Sequence, residues 1–154
     1  MTEEAKFIRP MLPDDREQLF EIYLLAHIDE YAGEKIKFPP QGVLDNPALL
    51  RMFNSSQIVV YDDGKPRGFV GSHNGRIAWL YVHPESRGQK IGQKLIDFML
   101  SELKEDCIGI SVIKSNKIAL DLYVRRGFRV IKDFIFNYQG VPVEVYGMQL
   151  KRDV

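Results

Sequence analysis

Residues 77–103 read IAWLYVHPESRGQKIGQKLIDFMLSEL. Ile77–Val82 is apolar and rich in strand-forming side chains, and His83-Pro84 interrupts it. A short polar run with Gly88 follows. From Ile91 onward, Leu95, Phe98, Met99 and Leu103 recur at helical spacing. The order is strand, tight turn, amphipathic helix. Such a turn leaves the first backbone N–H groups of the helix without intrahelical partners and aimed outward, which suits a phosphate group.

Upstream of this stretch the pattern is a meander. Gln57–Tyr61 and Lys65–Gly71 flank a hairpin turn at Asp62-Asp63-Gly64, and Asn74-Gly75 makes a second turn before Arg76–His83. Lys6–Arg9 is a short strand. Pro13 opens a helix with Asp14, Asp15 and Glu17 at its positive end, and Leu19, Ile22, Tyr23, Ala26 and Ile28 form its apolar face. Tyr31–Asn46 is a long loop, a common place for binding elements, and Pro47–Phe53 is a short helix. Downstream, Cys107–Ile113 reads as a strand buried on both faces. Lys117–Arg126 is a helix closed by Gly127. Phe128–Tyr138 and Val141–Leu150 form a hairpin around Gln139-Gly140. The strands on either side of the Ile91 helix are expected to run parallel, joined by a right-handed crossover.

The length, 154 residues, predicts one domain over 1–154. Lys plus Arg and Asp plus Glu are equal at 21 each, which speaks against a nucleic-acid partner. The single cysteine, Cys107, reads as a buried small hydrophobe and allows no intrachain disulfide. No apolar run is long enough to cross a membrane, and the N-terminus lacks the pattern of a signal peptide. A cytoplasmic protein is expected. His27, His73 and His83 lack metal-ligand spacing, so no metal is expected.

Two motifs carry a resemblance. Arg87-Gly88-Gln89-Lys90-Ile91-Gly92, preceded by Leu80-Tyr81-Val82-His83-Pro84-Glu85, is followed by Asn116-x-x-Ala119-Leu120-x-Leu122-Tyr123-x-x-x-Gly127-Phe128. The ordered pair resembles the GNAT superfamily of acetyl-CoA-dependent N-acetyltransferases, whose pyrophosphate signature is Arg/Gln-x-x-Gly-x-Gly/Ala. The resemblance extends over nearly the whole chain. It implies an α/β fold with a mixed, mostly antiparallel sheet of about six to seven strands and about four flanking helices. A central parallel pair in that sheet splays to hold coenzyme A. Lys90 departs from the pattern, standing where the family's first motif glycine usually sits. A non-glycine residue fits there if its φ is negative; the Lys90 side chain then either adds charge toward the phosphates or, the favoured reading, points to solvent.

The resemblance further implies that acetyl-CoA is held by Leu80, Tyr81 and Val82, by Arg87, Gly88, Gln89, Lys90, Ile91, Gly92, Gln93 and Lys94, and by Asn116 and Tyr123. Backbone N–H groups at the helix start would take the pyrophosphate, and the Val82 N–H would polarise the thioester carbonyl. Tyr123 is the expected general acid at the departing sulfur. Neither Arg76–Val82 nor Ile108–Ile113 holds a carboxylate. A water relay is therefore expected as the base, with His73, Tyr81, His83 and Ser111 as candidates, and Ser111 is carried as the second catalytic residue.

The acceptor side is expected between the Tyr23–Phe38 region and the closing hairpin. Tyr23, Tyr31, Phe38 and Tyr138 are its candidate substrate contacts, with Phe136 and Tyr146 nearby. Asp29, Glu30 and Glu34 would favour a cationic amine. The expected reaction is acetyl transfer to a primary amine, on a small molecule or a protein, by direct attack in a ternary complex. An acyl-CoA-binding sensor without turnover is the alternative. The resemblance also implies a homodimer built through exposed strands or the C-terminal hairpin.

Overall fold

The computed structural model describes residues 6–152. The chain forms two compact units, one comprising the chain up to His27 together with Pro40–Lys104, the other Ile28–Pro39 together with the chain from Glu105.

The first unit is an antiparallel meander. Its strands are β1 (Ile8–Pro10), β2 (Gln57–Asp62), β3 (Pro66–His73) and β4 (Arg76–Val82), each paired with the next. The turns form where glycine and asparagine allow: Asn74 and Gly75 both have positive φ, as a two-residue hairpin turn requires. At the other hairpin, Asp62 Oδ1 accepts from Gly64 N–H at 2.9 Å. Helix α1 (Arg16–Ala26) covers one face of the meander. Leu19, Ile22 and Tyr23 pack there with Ile58, Val60, Phe69 and Trp79. Helix α2 (Pro47–Asn54) adds Phe53 to that core and is capped by Asn46, whose side chain accepts from Ala48 and Leu49 N–H. Helix α3 (Ile91–Glu102) buries Ile91, Leu95, Ile96 and Met99. The Leu95 side chain approaches Gly68 on β3, the face opposite Phe69. Phe98 and Leu103, expected on this stripe, are only half-buried, and Ile96 takes the central place.

The first helix begins later than the sequence suggests. Pro13–Asp15 is a 3-10 turn, and the α-helix starts at Arg16. Asp15 is buried because Arg9 grips it with two hydrogen bonds, at 2.7 and 2.9 Å, while Arg9 also reaches Asp62 at 2.7 Å. Asp15 Oδ2 accepts the Leu12 N–H as well, at 2.7 Å. The Arg9 guanidinium holds both carboxyls below the usual carboxylate range. Ile28, read as part of the apolar face of α1, lies past its end in the 3-10 turn His27–Tyr31 and is exposed.

The second unit contains β5 (Cys107–Ile113), α4 (Lys117–Val124), β6 (Arg129–Tyr138) and β7 (Val141–Lys151). Strand β7 lies between β5 and β6 and runs antiparallel to both. Strand β5 corrects two expectations. It alternates, with Ile108, Ile110 and Val112 buried and Cys107 and Ser111 exposed. Its two faces therefore differ, and Cys107 is an exposed thiol at the strand's first position rather than a core residue. An apolar run of this length suggests burial of both faces, but Gly109 and Ser111 are the small residues that mark the open side. Asn116 caps α4, accepting from Ala119 N–H at 3.3 Å, and Gly127 ends the turn beyond it at φ 95°. No helix among the described residues is long and apolar enough to cross a membrane.

Candidate active site

The turn from Arg87 to Lys90 is built from alternating backbone conformations. Arg87 is extended, Gly88 has φ 83°, and Lys90 has φ 61° and ψ 23°. The expectation of a negative φ at Lys90 is thus corrected. The left-handed conformation that glycine would adopt easily is kept, and a lysine occupies it. The Lys90 side chain is exposed, as expected.

No side chain caps α3, whereas Asn46 and Asn116 cap α2 and α4. Its first intrahelical bond runs from Lys94 N–H to the Lys90 carbonyl, at 3.0 Å. The preceding N–H groups of the first turn are the orphan donors of a helix start. No acidic side chain lies in that turn either. The Lys94 ammonium lies over the Tyr61 ring at 5.8 Å.

The end of β4 lies beside this turn. A Cβ on Gly92 would meet Val82 Cγ2 at 3.7 Å, an ordinary contact. Ile77 and Trp79 are buried, but Leu80, Tyr81 and Val82 are all half-buried. Strand alternation divides them. Leu80 and Val82 share the face of Val70 and Gly68, toward α3, while Tyr81 pairs with Phe69 on the α1 side. There Tyr81 meets Tyr23 edge to face at 4.9 Å, and Tyr23 stacks flat on His27 at 4.7 Å. Tyr23 is therefore part of the first unit's core. Burial lowers the affinity of His27 for a proton, and its Nε2 accepts from Gln41 N–H at 3.4 Å. His83 Nδ1 accepts from Glu85 N–H at 3.1 Å and caps the 3-10 turn Pro84–Ser86, a structural role.

The second unit gathers the other acceptor candidates. Tyr31 stacks on Tyr138 at 4.3 Å, and Phe38 meets both rings, at 5.1 and 4.9 Å. These rings pack on Ile113, Val143 and Val145. Ser111 lies on the same face of β5 as Ile113, opposite Gly147 of β7. Ser115 Oγ donates to Glu34 in a short hydrogen bond. Gly33 is required at this crossing, since a Cβ there would come within 2.8 Å of Ser115.

Tyr123 is buried, 7% exposed, with its ring 5.9 Å from Phe128. Burial pushes its phenol well above the ordinary range, and the charge of Glu30 adds to the shift. Tyr123 therefore keeps its proton throughout the neutral range. Burial raises Tyr31 and Tyr138 as well, and the charge of Glu30 adds to both shifts. This half-buried carboxylate is the acid nearest in effect to all three phenols. Composition alone could not single it out from Asp29 and Glu34. Among the described residues no group of His, Cys, Asp and Glu is arranged to hold a metal.

The profile of the Acetyltransferase (GNAT) domain matches residues 54–130, half of the chain. The protein belongs to the GNAT superfamily. It is an acyltransferase by that membership, and its seven strands and four α-helices follow the α/β fold of the family.

Solved structures agree on the fold. A GCN5-related N-acetyltransferase from Rhodopseudomonas palustris superposes with a TM-score of 0.78 at 18% identity, covering 94% of each chain. The ribosomal-protein-S18-alanine N-acetyltransferase of Escherichia coli gives 0.71 at 16% identity, covering 96% of this chain and 94% of its own. YncA of Salmonella typhimurium, solved with its cofactor acetyl-CoA, gives 0.66 at 18% identity over 96% and 94%. No curated protein sequence matches the chain significantly. The GNAT fold typically binds acetyl-CoA, and the uncapped start of α3 fits a diphosphate, which needs N–H donors and no competing side-chain carboxylate.

Proposed function

We propose that this GNAT protein is an N-acetyltransferase that moves an acetyl group from acetyl-CoA to a primary amine by direct attack in a ternary complex. The observation that carries the reading is the uncapped N-terminus of α3 beside the half-open end of β4. Acetyl-CoA supplies the acetyl thioester. Backbone N–H groups at the start of α3 hold the pyrophosphate, with Arg87, Gly88, Gln89, Lys90 and Gly92 shaping the turn. Leu80 and Val82 line the α3 side of β4, and the Val82 N–H polarises the carbonyl as it becomes tetrahedral.

Tyr123 gives its proton to the departing sulfur. A phenol held protonated by burial is in the correct state for that task at neutral pH. The amine must attack in its neutral form. No carboxylate lies on β4 or β5, so water takes that proton, with Ser111 on the open face of β5 ordering it. The Tyr31–Phe38–Tyr138 cluster with Glu30 and Glu34 suits a cationic amine before it is deprotonated. A small-molecule amine and a protein amine both satisfy this chemistry. The E. coli relative carries a ribosomal-protein alanine in its name, which makes peptide N-termini worth including among the acceptors tested.

Calorimetric titration with acetyl-CoA, followed by thiol release over a panel of amines and peptide N-termini, tests the reading. Binding with turnover is expected, together with at least a tenfold weaker affinity (about 1.4 kcal/mol) for Gly92→Leu. The Cβ of that variant has room, so the folded chain persists while the larger side chain blocks the approach to the turn. Absence of binding by the wild-type chain would overturn the proposal. Binding without thiol release on any acceptor would make the protein an acyl-CoA sensor.

A further inference from the structure

Residues 28–39 belong to the second unit, far in sequence from the strand residues they pack on. Past the 3-10 turn that ends at Tyr31 they form neither helix nor strand. Two backbone bonds shape the segment from within. The Ala32 N–H donates to the Asp29 carbonyl at 3.2 Å, and the Glu34 N–H to the Tyr31 carbonyl at 2.9 Å. A segment without ladder bonds keeps one position only through contacts with its neighbours. That position matters here, because the segment carries Tyr31 and Phe38.

Two sets of contacts tie the segment to the closing hairpin. The Tyr31 and Phe38 rings rest on Tyr138, and Gln139 Nε2 donates to the Pro39 carbonyl at 3.2 Å. A further tie reaches the turn between β5 and α4. Ser115 Oγ donates to the half-buried Glu34 carboxylate, and Gly33 passes so close that a Cβ there would lie 2.8 Å from the Ser115 carbonyl oxygen. The turn itself is well anchored. The Asn116 N–H donates to the Ile113 carbonyl at 2.9 Å, and the Lys114 N–H to the Glu144 carbonyl of β7 at 3.0 Å. Asn116, not Ser115, caps α4, so the Ser115 hydroxyl serves Glu34. Tyr123 follows about two helical turns beyond that cap.

We propose that Glu34 is a positioning residue: through its hydrogen bond to Ser115 it holds the acceptor-side segment 28–39 in register with α4, the helix that carries Tyr123. The proposal rests on the acetyl-transfer reading above. In that reading the amine must meet the thioester carbon while the Tyr123 hydroxyl faces the sulfur. The two demands fall on separate pieces of chain, and small misplacement of either partner costs rate steeply. A hydrogen bond to an ionised acceptor is the strong, directional kind suited to fixing such a register.

This role differs from that of a carboxylate that attracts the amine by charge alone. A charge acts whether or not Ser115 has a hydroxyl, and it is lost in glutamine. The clasp needs the hydroxyl, and it survives in glutamine, whose amide carbonyl still accepts. Because the β5–α4 turn keeps its own bonds to Ile113 and Glu144, loss of the clasp moves the segment rather than the helix. The cofactor side is therefore spared and the amine side is not.

Thiol release by the full chain, at saturating acetyl-CoA and with the panel amine of highest turnover, tests the clasp. Ser115→Ala is expected to raise the amine KM about tenfold, the scale of one hydrogen bond to a charged group, with kcat changed less and acetyl-CoA affinity held. Glu34→Ala should match it, and the double variant should be no worse than either single one, since all three lack the same bond. Glu34→Gln should recover most of the loss. Gly33→Ala, which drives a Cβ against the Ser115 carbonyl, should reproduce the loss with both partners intact. Trypsin gives a readout that needs no amine: cleavage after the exposed Lys35 and Lys37 should be faster in Ser115→Ala than in the wild type. A wild-type KM in Ser115→Ala overturns the proposal, even if its melting midpoint falls, and so does Glu34→Gln as impaired as Glu34→Ala. A wild type without thiol release overturns the acetyl-transfer reading instead. Unchanged tryptic cleavage in Ser115→Ala would then overturn the clasp as well.

Discussion

Lys90 holds a left-handed backbone at the entry to α3, where the family pattern has glycine. An L-residue with a Cβ loses about 1–2 kcal/mol in that conformation, and glycine loses about 0.5–1 kcal/mol through its freer unfolded chain. Lys90→Gly is therefore expected to stabilise the protein by up to about 1 kcal/mol, read as a higher urea midpoint. Lys90→Val, a β-branched residue at positive φ, should lower it. Acetyl-CoA affinity should rise or hold for the glycine variant, because the geometry of the turn is already the one glycine would adopt.

Tyr123 gives the second residue-scale prediction. Tyr123→Phe keeps the buried ring beside Phe128 and removes only the proton donor. Turnover is expected to fall by about a hundredfold or more, with little change in acetyl-CoA affinity by calorimetry. Equal turnover would remove the acid role. Both positions were legible in the sequence as motif members. The sign of φ at Lys90 was not, because nothing in a residue's identity reports a conformation that its neighbours impose.

At the scale of elements, helix caps separate structure from binding. Asn46 and Asn116 cap α2 and α4 in the same way, through side-chain oxygens on the N–H groups of the first turn. Each change to alanine should lower stability by about 1 kcal/mol. If Asn116 also touches the cofactor, Asn116→Ala alone should weaken acetyl-CoA binding, and Asn46→Ala should leave it unchanged. Thermal melts and calorimetry on the two variants check this.

Element order was legible because turn residues punctuate it. Asn74-Gly75, Gln139-Gly140 and Gly127 all mark the boundaries observed. What the sequence hid was burial. Cys107–Ile113 is apolar enough to be covered on both faces, yet Cys107 and Ser111 lie open. Strand β6 reads as an ordinary hairpin arm and is exposed almost throughout. Which neighbour covers a strand is a tertiary fact, and period-two patterning reports it only when the uncovered face is polar. The candidate site shows the same limit. Tyr31, Phe38 and Tyr138 pack on one another, whereas Tyr23 packs in the core with Trp79 and His27, and residue type alone does not tell the two placements apart.

For the whole molecule, titrating groups set a window of stability with different groups at each edge. His27 is buried against Tyr23, and burial holds its pKa below the ordinary imidazole value, about 6.5. Below that pH the unfolded chain binds a proton that the folded chain refuses, so stability falls as pH drops through the imidazole range. Asp15 and Asp62 extend the loss further down. Their carboxyls are depressed by Arg9, so their contribution is present above the ordinary carboxylate value, about 4, and is lost as pH falls through their lower folded values. The alkaline edge has the opposite cause. Tyr31, Tyr123 and Tyr138 are raised by burial, so above about 10 the unfolded chain releases protons that the folded chain retains. Stability then falls as pH rises.

Urea midpoints measured across pH should show a plateau near pH 7 to 9, a shallow decline beginning near pH 6.5, a steeper one below pH 4, and a separate decline above pH 10 (all about these values). His27→Gln should remove the first decline and leave the second, because glutamine does not titrate and the Arg9 pairs are untouched. Tyr31→Phe should make the alkaline decline shallower without abolishing it, because Tyr123 and Tyr138 remain, while leaving both acid limbs in place. A first decline that persists in His27→Gln would mean that another group, not the buried imidazole, sets the neutral-to-acid boundary.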